Sequence, residues 1–203
     1  KYYMLHIPPR YTTESVTAGH PDKVCDQISD TVLDEALKQD PMSRVAIESF
    51  GSHGTLMIGG EIKTNAKIDL AKIGLKVYKD IGYKDTLKVI TRVAKQSNDI
   101  AMGVDTGGAG DQGIMYGYAT DETPEMLPLG VVLSHKLARN LEKLRRDKKL
   151  TWLRPDGKTQ VTIADGKVLT ALTSTQHAAS VTQEEIRESL IKHLFKPTLG
   201  KYW

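Results

Sequence analysis

A histidine, a carboxylate and an ammonium group occur within four residues at the predicted start of a helix, in His20-Pro21-Asp22-Lys23. The free N–H groups and the positive dipole end of a helix N-terminus attract anions. His20 and Lys23 add hydrogen-bond donors, and the Asp22 carboxylate can bind a hard cation such as Mg²⁺. The segment therefore suits phosphate binding. A helix cap in which Asp22 only complements the dipole is the alternative that local spacing leaves open.

Charged residues at two other places are candidates for ligand contacts. Asp156-Gly157-Lys158 places a carboxylate and a cation on either side of a glycine, or forms an ordinary charged turn. Glu48 and Glu61 lie on opposite arms of a predicted hairpin that is otherwise rich in apolar residues. Because an unpaired carboxylate is costly to bury, each of these two either binds a cation or is exposed to water.

A glycine-rich segment, Gly108–Gly113, matches the pattern G-x-G-x-x-G letter for letter. In dinucleotide-binding proteins this motif follows a strand and opens a helix. Here it ends a polar loop predicted from Ser97 to Gly113 and precedes a predicted strand at Ile114–Ala119. The context argues against a dinucleotide site. The glycines instead allow the backbone to approach a ligand or another segment closely, or they form a tight turn.

The first half of the chain is predicted to contain two helices and three strands that position these residues. Apolar residues recur at helical spacing and a proline ends the first helix. Short β-branched segments on either side of a glycine-containing turn indicate an antiparallel hairpin. The predicted elements are a helix at Pro21–Asp40 with Val24, Ile28, Leu33 and Leu37 on its apolar face, a hairpin of Arg44–Phe50 and Thr55–Ile62, a helix at Ile68–Ile81 and a strand at Thr86–Val93.

The second half is predicted to contain a helix, a hairpin and a last helix. Leucines from Leu129 to Leu144 mark the first helix, and Asp165-Gly166 is a strong turn signal between Lys158–Ala164 and Lys167–Ser174. Thr182 and Glu185 resemble a capping box for a helix that runs to Leu194, with Pro197 just beyond its end. The order indicates an α+β fold with a similar unit occurring twice, each an antiparallel sheet covered by helices on one face.

The composition is that of a folded protein and excludes several classes. The chain has 203 residues, 39% hydrophobic and 26% charged, with a net charge of +3 and a single cysteine, Cys25. Disordered and collagen-like chains, an intrachain disulfide and a structural zinc site are excluded. No apolar run suggests a membrane span or a secretory signal, so we expect a cytoplasmic protein without membrane contact. The small positive excess does not indicate nucleic-acid binding; the basic run at residues 143–149 forms either a solvated helix end or a polyanion patch.

Several longer segments resemble the S-adenosylmethionine synthetases (methionine adenosyltransferases). The segment Thr13–Asp30, which reads TESVTAGHPDKVCDQISD, is similar to the opening signature of that family, and Gly108–Gly113 with the following IMYGYA is similar to its glycine-rich segment. Further matches occur in the family's order along nearly the whole chain: Gly59-Gly60-Glu61, Lys95-Gln96-Ser97, Trp152–Val161 and Ser174-Thr175-Gln176-His177. The segments resemble the N-terminal half of a synthetase.

The resemblance implies an activity and a role for each matched residue. In the family's reaction the methionine sulfur attacks the 5′ carbon of ATP and expels tripolyphosphate, which is then cleaved to phosphate and pyrophosphate. By similarity, the catalytic residues are His20 and Lys158, the ATP contacts are His20, Asp156 and Lys158, the methionine contacts are Glu61, Gln96 and Asp111, and the metal ligands are Asp22 for Mg²⁺ and Glu48 for K⁺.

The resemblance also implies an organisation. The family fold consists of repeated α+β units, here a site-bearing unit at 12–100 and a gate loop with a second unit at 101–203; the last repeat is missing. Family members continue into a second half with further phosphate and metal ligands. We therefore expect ATP, L-methionine and a second polypeptide as partners, in a hetero-oligomer that contains a dimer of synthetase units. A truncated synthetase and a non-catalytic nucleotide- and methionine-binding regulatory subunit remain as alternatives.

Overall fold

The structure is a computed structural model that describes residues 9–96 and 113–203. Its elements confirm the α+β prediction. In chain order they are β1 (Arg10–Val16), α1 (Pro21–Gln39), β2 (Arg44–Ser52), β3 (Thr55–Lys63), α2 (Leu70–Ile81), β4 (Lys88–Lys95), α3 (Leu129–Arg146), β5 (Leu153–Ala164), β6 (Lys167–His177), α4 (Gln183–Leu190) and α5 (Lys196–Leu199), with a π-helical turn at Ile191–Phe195 and a 3₁₀ turn at Gly200–Tyr202. Within the described ranges, none of these helices has the length and apolar content that crossing a bilayer requires.

The described residues form two compact units, each with its own three-stranded sheet. We call residues 9–20 with 118–203 the β1 unit, and residues 21–96 with 113–117 the α1 unit. This division by packing assigns the opening strand to the second half of the chain. The division at 12–100 and 101–203 follows chain order instead and stays a prediction.

In the α1 unit, two helices pack on one face of a mixed sheet. The strand order is β2-β3-β4, with β2 and β3 antiparallel and β3 and β4 parallel. Parallel neighbours need a crossover, and α2 supplies it. The core contains Val24, Ile28 and Val32 from α1 with Ile47, Leu56 and Ile58 from the sheet. Leu33 and Leu37 were predicted for the apolar face of α1, but they are 37% and 39% exposed because the buried row runs through Val24, Ile28, Val32 and Ala36.

In the β1 unit, α3 and the C-terminal helices pack on one face of an antiparallel sheet ordered β1-β5-β6. The predicted leucines of α3 are buried, as are Val161 and Ile163 of β5. The turn between β5 and β6 confirms the Asp165-Gly166 prediction, since both residues have positive φ, 49° and 72°. This is the pattern of a type I′ hairpin turn.

Three local predictions need correction or addition. The strand β1 was not predicted, although its residues alternate in burial along Arg10–Val16. The predicted strand at Ile114–Ala119 is wrong: the segment has no ladder partner in the described structure, and Ile114, Met115 and Tyr116 are 79%, 89% and 91% exposed. A strand requires the hydrogen bonds of a neighbour.

The predicted end of the last helix before Pro197 is also wrong. The Thr182–Glu185 capping box forms as predicted, but Pro197 lies inside α5. Proline lacks an N–H and its ring collides with the carbonyl four residues earlier in a regular helix. The chain accommodates it with the preceding π-helical turn, in which the N–H of Lys196 donates to the carbonyl of Ile191.

Candidate functional site

The turn that joins β1 to α1 is attached to the start of β5 through Thr17. This threonine is 4% exposed. Its N–H donates to the Gly157 carbonyl at 2.8 Å, and its Oγ1 donates to the Pro155 carbonyl at 2.7 Å. Its own carbonyl accepts the N–H of His20 at 3.1 Å, which closes the turn. The signature segment around His20 and the segment around Asp156 are thus held together by hydrogen bonds.

Two glycines allow this close approach. A Cβ on Gly19 would overlap the backbone carbonyl and the Cβ of Pro155. A Cβ on Gly157 would lie 2.9 Å from Leu141 Cδ2 and 3.1 Å from Thr17 Cγ2. At Gly19 the overlap is with backbone atoms, so any larger residue would push the two segments apart. At Gly157 the Leu141 side chain would have to shift to admit a Cβ.

His20 and Asp156 are close enough for their charges to interact. Both are half-buried. Burial raises the pKa of the Asp156 carboxyl, while the charge of His20 and the N–H of Gly157 act in the opposite direction. A carboxyl poised between these effects, next to an imidazole, is typical of functional sites.

Lys158 lies on the face of the sheet that points away from α3. Its neighbours Gly157 and Thr159 face α3 and are buried, so the alternation of the strand directs Asp156 and Lys158 to the other side. The Lys158 ammonium forms an ion pair with Glu14 of β1 at 2.6 Å, with side chains 40% and 46% exposed. The structure therefore brings His20 close to Asp156, and it places Asp156 and Lys158 on one face of β5, away from α3, where β1 ends.

Glu61, predicted to contact the substrate methionine, and Glu48, predicted to bind K⁺, share one face of the sheet in the α1 unit. Glu61 lies opposite Ala46 of β2 and Ala94 of β4, and Glu48 lies opposite Gly59. This parity places Glu48 and Glu61 on the face opposite Ile47 and Ile58, which pack against the helices. Glu48 is exposed, which was one of its two predicted states, and Glu61 is half-buried.

Gln96 extends the same face. Its N–H donates to the Ile62 carbonyl at 3.2 Å, which continues the ladder beyond β4. Two residues after Ala94, it falls on the side of the sheet that carries Glu61. Its Oε1 is buried and finds no hydrogen-bond partner among the described residues. A buried acceptor without a donor is costly, and a bound ligand is one source of the missing donor.

Asp22 lies exposed in the first turn of α1, in the α1 unit. The neighbouring Lys23 ammonium donates to Asp26 at 2.8 Å. Within 9–96 and 113–203, no group of three or more histidines, cysteines or carboxylates could by itself hold a metal ion. Asp22 and Glu48 are thus single carboxylates that need further ligands. Asp111 and the predicted gate segment lie outside the described residues.

Sequence reasoning missed the roles of Glu14 and Thr17. Both belong to the quoted signature, but no local pattern shows that their partners are Lys158 and the carbonyls around Asp156. The aromatic Tyr11 and the β-branched Thr12, Thr13 and Val16 are the signal that could have revealed the strand and thus its need for a partner.

Comparisons with known proteins match both halves of the chain to one family. Residues 9–101 match the N-terminal domain of S-adenosylmethionine synthetase, and residues 106–203 match its central domain. The S-adenosylmethionine synthase of Pseudothermotoga lettingae is 46% identical over 224 residues, covering 95% of this chain and 57% of that protein. That of Brachyspira hyodysenteriae is 47% identical, covering 91% and 53%.

A third synthase, from Treponema denticola, is 44% identical over 94% of this chain and 54% of its own length. The chain therefore spans about half the length of the curated relatives it matches. The shared motifs, the α+β units and these matches agree on one assignment. The chain belongs to the S-adenosylmethionine synthetase family.

Proposed function

We propose that this chain supplies part of the active site of an S-adenosylmethionine synthetase. The reaction joins ATP and L-methionine to S-adenosylmethionine and cleaves the released tripolyphosphate to phosphate and pyrophosphate. The observation that carries the proposal is the grouping of His20, Asp156 and Lys158 at the end of β1, from two segments far apart in the sequence. The relatives named S-adenosylmethionine synthase align with this chain over more than nine-tenths of its length.

The cations of this group suit the charge that develops in the reaction. When the sulfur attacks the 5′ carbon, the bond to the triphosphate oxygen breaks and negative charge accumulates on the leaving group. Donors fixed in advance at that position stabilise the transition state. His20 supplies an imidazole, and Lys158 supplies an ammonium with three donors, of which Glu14 needs one. Asp156 supplies an acceptor for a hydroxyl or amino group of the nucleotide.

The metal ligands fit the proposal as partial sites. Mg²⁺ is commonly bound by one or two carboxylates together with substrate phosphates and water, and the exposed carboxylate of Asp22 suits that role. When bound, Mg²⁺ would neutralise triphosphate charge. Glu48 offers one exposed carboxylate oxygen for K⁺ on the same sheet face as Glu61. Both ions need ligands beyond those that the described residues provide.

Glu61 and Gln96 suit the amino group of methionine. The Glu61 carboxylate offers negative charge, and the Oε1 of Gln96, which has no partner among the described residues, offers an acceptor on the same sheet face. An ammonium group carries donors but no acceptor, so these two oxygens complement it. Asp111 is proposed as a third methionine contact from the family resemblance.

We further propose that a second polypeptide supplies the remainder of the site. The chain covers 53% to 57% of the relatives named above. The assembly would be a hetero-oligomer that contains a dimer of synthetase units. Its activity would require both polypeptides.

The test combines this chain with the unmatched portion of the Pseudothermotoga lettingae synthase. We expect S-adenosylmethionine formation from ATP and methionine, with phosphate and pyrophosphate release, in the mixture with Mg²⁺ and not with either part alone. His20→Ala should lower turnover by on the order of 100-fold, as loss of one transition-state donor does. His135→Ala, at an exposed histidine of α3, is the matched control and should leave turnover unchanged.

Two outcomes would contradict the proposal. Background turnover in every such mixture, including one with a C-terminal portion from a second relative, would overturn the proposal that this chain supplies part of a synthetase active site. Normal turnover with His20→Ala would instead favour the alternative, a non-catalytic nucleotide- and methionine-binding regulatory subunit.

A further inference from the structure

Thr17 uses all of its polar groups on the two segments that carry His20 and Asp156. Its N–H donates to the Gly157 carbonyl at 2.8 Å, and its carbonyl accepts the His20 N–H at 3.1 Å. Its hydroxyl donates to the Pro155 carbonyl at 2.7 Å and lies 3.2 Å from the Gly157 carbonyl. One buried residue thus bonds the backbone on both sides of Asp156 and the backbone of His20.

We infer that Thr17 is a positioning residue that fixes the separation of His20 and Asp156, and with it the nucleotide contacts proposed above. The inference rests on the proposed function for its catalytic meaning but on the hydrogen bonds for its structural content. Rotation of the peptide units before and after residues 156–157 is restricted because the carbonyls of Pro155 and Gly157 both accept hydrogen bonds from Thr17. Catalytic groups lose effectiveness when they move by as little as about 1 Å.

The hydroxyl and the methyl group of Thr17 have separable roles. The methyl carbon faces Gly157, where an added Cβ would lie 3.1 Å from it. Thr17→Val keeps a branched side chain of the same size but removes the donor to Pro155. Thr17→Ser keeps the donor and removes the methyl group. If the hydroxyl does the positioning, serine retains the function and valine loses it.

Thr159 offers a matched control in the same sheet. It is also buried, and its hydroxyl donates to the Ser134 carbonyl at 2.8 Å. Thr159→Val removes an equivalent buried hydroxyl without touching the bonds around Asp156. It separates general destabilisation of the β1 unit from a specific effect on the pair.

The first test measures the coupling of the pair in the full chain by carbon NMR of the Asp156 carboxyl during a pH titration. The charge of His20 lowers the Asp156 pKa in the folded chain. Removing that charge with His20→Gln should raise the Asp156 pKa in the parent, in Thr17→Ser and in Thr159→Val. In Thr17→Val the same replacement should produce a smaller rise, since electrostatic coupling weakens with distance.

The second test measures turnover in the two-part assembly. Thr17→Val should lower kcat on the order of 10-fold to 100-fold, whereas Thr17→Ser and Thr159→Val should stay near the parent value. An unchanged response of Asp156 to His20→Gln in Thr17→Val overturns the inference. Loss of coupling in Thr159→Val as well would also overturn it, because general loosening would then explain the result. If the parent assembly is inactive, the proposed function fails, while the NMR result still decides the role of Thr17.

Discussion

Replacing Gly19 by alanine is the sharpest test of the contact between the two site segments. A Cβ at this position would overlap the carbonyl of Pro155. That carbonyl cannot rotate away without losing its hydrogen bond from Thr17. We therefore expect the turn to move away from β5 and take His20 with it.

The expected magnitude follows from two opposing effects. Forcing an extra carbon into a packed site costs about 1–3 kcal/mol. Glycine to alanine also reduces the entropy of the unfolded chain, which returns about 0.4–1 kcal/mol. From the central values of these ranges, the net loss in the free energy of unfolding is about 1.3 kcal/mol. With a urea dependence of roughly 2 kcal/mol per molar, the unfolding midpoint should fall by about 0.7 M.

Urea unfolding followed by circular dichroism measures this shift, and the two-part assembly measures turnover. Gly117→Ala is the matched control, because a Cβ there meets no atom of residues 9–96 and 113–203 within 4 Å. It should leave the midpoint nearly unchanged. A Gly19→Ala chain with the parent midpoint and the parent turnover would show that the contact between Gly19 and Pro155 does not hold His20 in place.

Four further substitutions test other features by urea unfolding. Thr182→Ala removes a helix cap and should lower the free energy of unfolding by about 1 kcal/mol. The N–H of Thr182 lowers the pKa of Glu185 in the folded chain, so the stabilisation from the Glu185 carboxylate disappears as the pH falls through this lowered pKa. Glu185→Gln should therefore reduce the loss of stability in acid. If the parent and Glu185→Gln lost the same stability as the pH fell, this account would be contradicted. At pH values above the pKa of an unfolded aspartate, Asp156→Asn should raise the free energy of unfolding. Burial raises the pKa of Asp156 in the folded chain, so the parent loses stability as the pH rises through this pKa. Equal stability of parent and variant from pH 3 to 7 would exclude this effect. Gly60→Ala combines φ of 127° with overlap of the Ala46 carbonyl and should cost at least about 2 kcal/mol, and a smaller loss would show that the hairpin can rearrange.

Local chemistry in the sequence predicted the turns, caps and amphipathic helices. The Asp165-Gly166 turn and the Thr182–Glu185 cap depend on residues at most a few positions apart. The leucines of α3 are buried as their spacing predicts. The family motifs likewise identified the candidate site residues, because a motif is a pattern of residue types along the sequence.

The tertiary structure decided how distant segments combine. The pairing of β1 with β5 joins segments far apart in the sequence. The parallel placement of β4 beside β3 depends on the crossover through α2. The segment at Ile114–Ala119 has a strand-like composition but finds no partner in the described structure. Pro197 continues a helix because a π turn precedes it, which no local rule predicted.

The candidate site shows the same distinction. The candidate side chains, the imidazole of His20, the carboxylate of Asp156 and the ammonium of Lys158, were named from sequence motifs. Their grouping depends on the bonds of Thr17 to backbone carbonyls, including that of Pro155, 138 positions away in the chain. Every residue type has such carbonyls, so their sequence contains no signal of the contact. Only the folded sheet, by aligning β1 with β5, decides which carbonyls Thr17 meets.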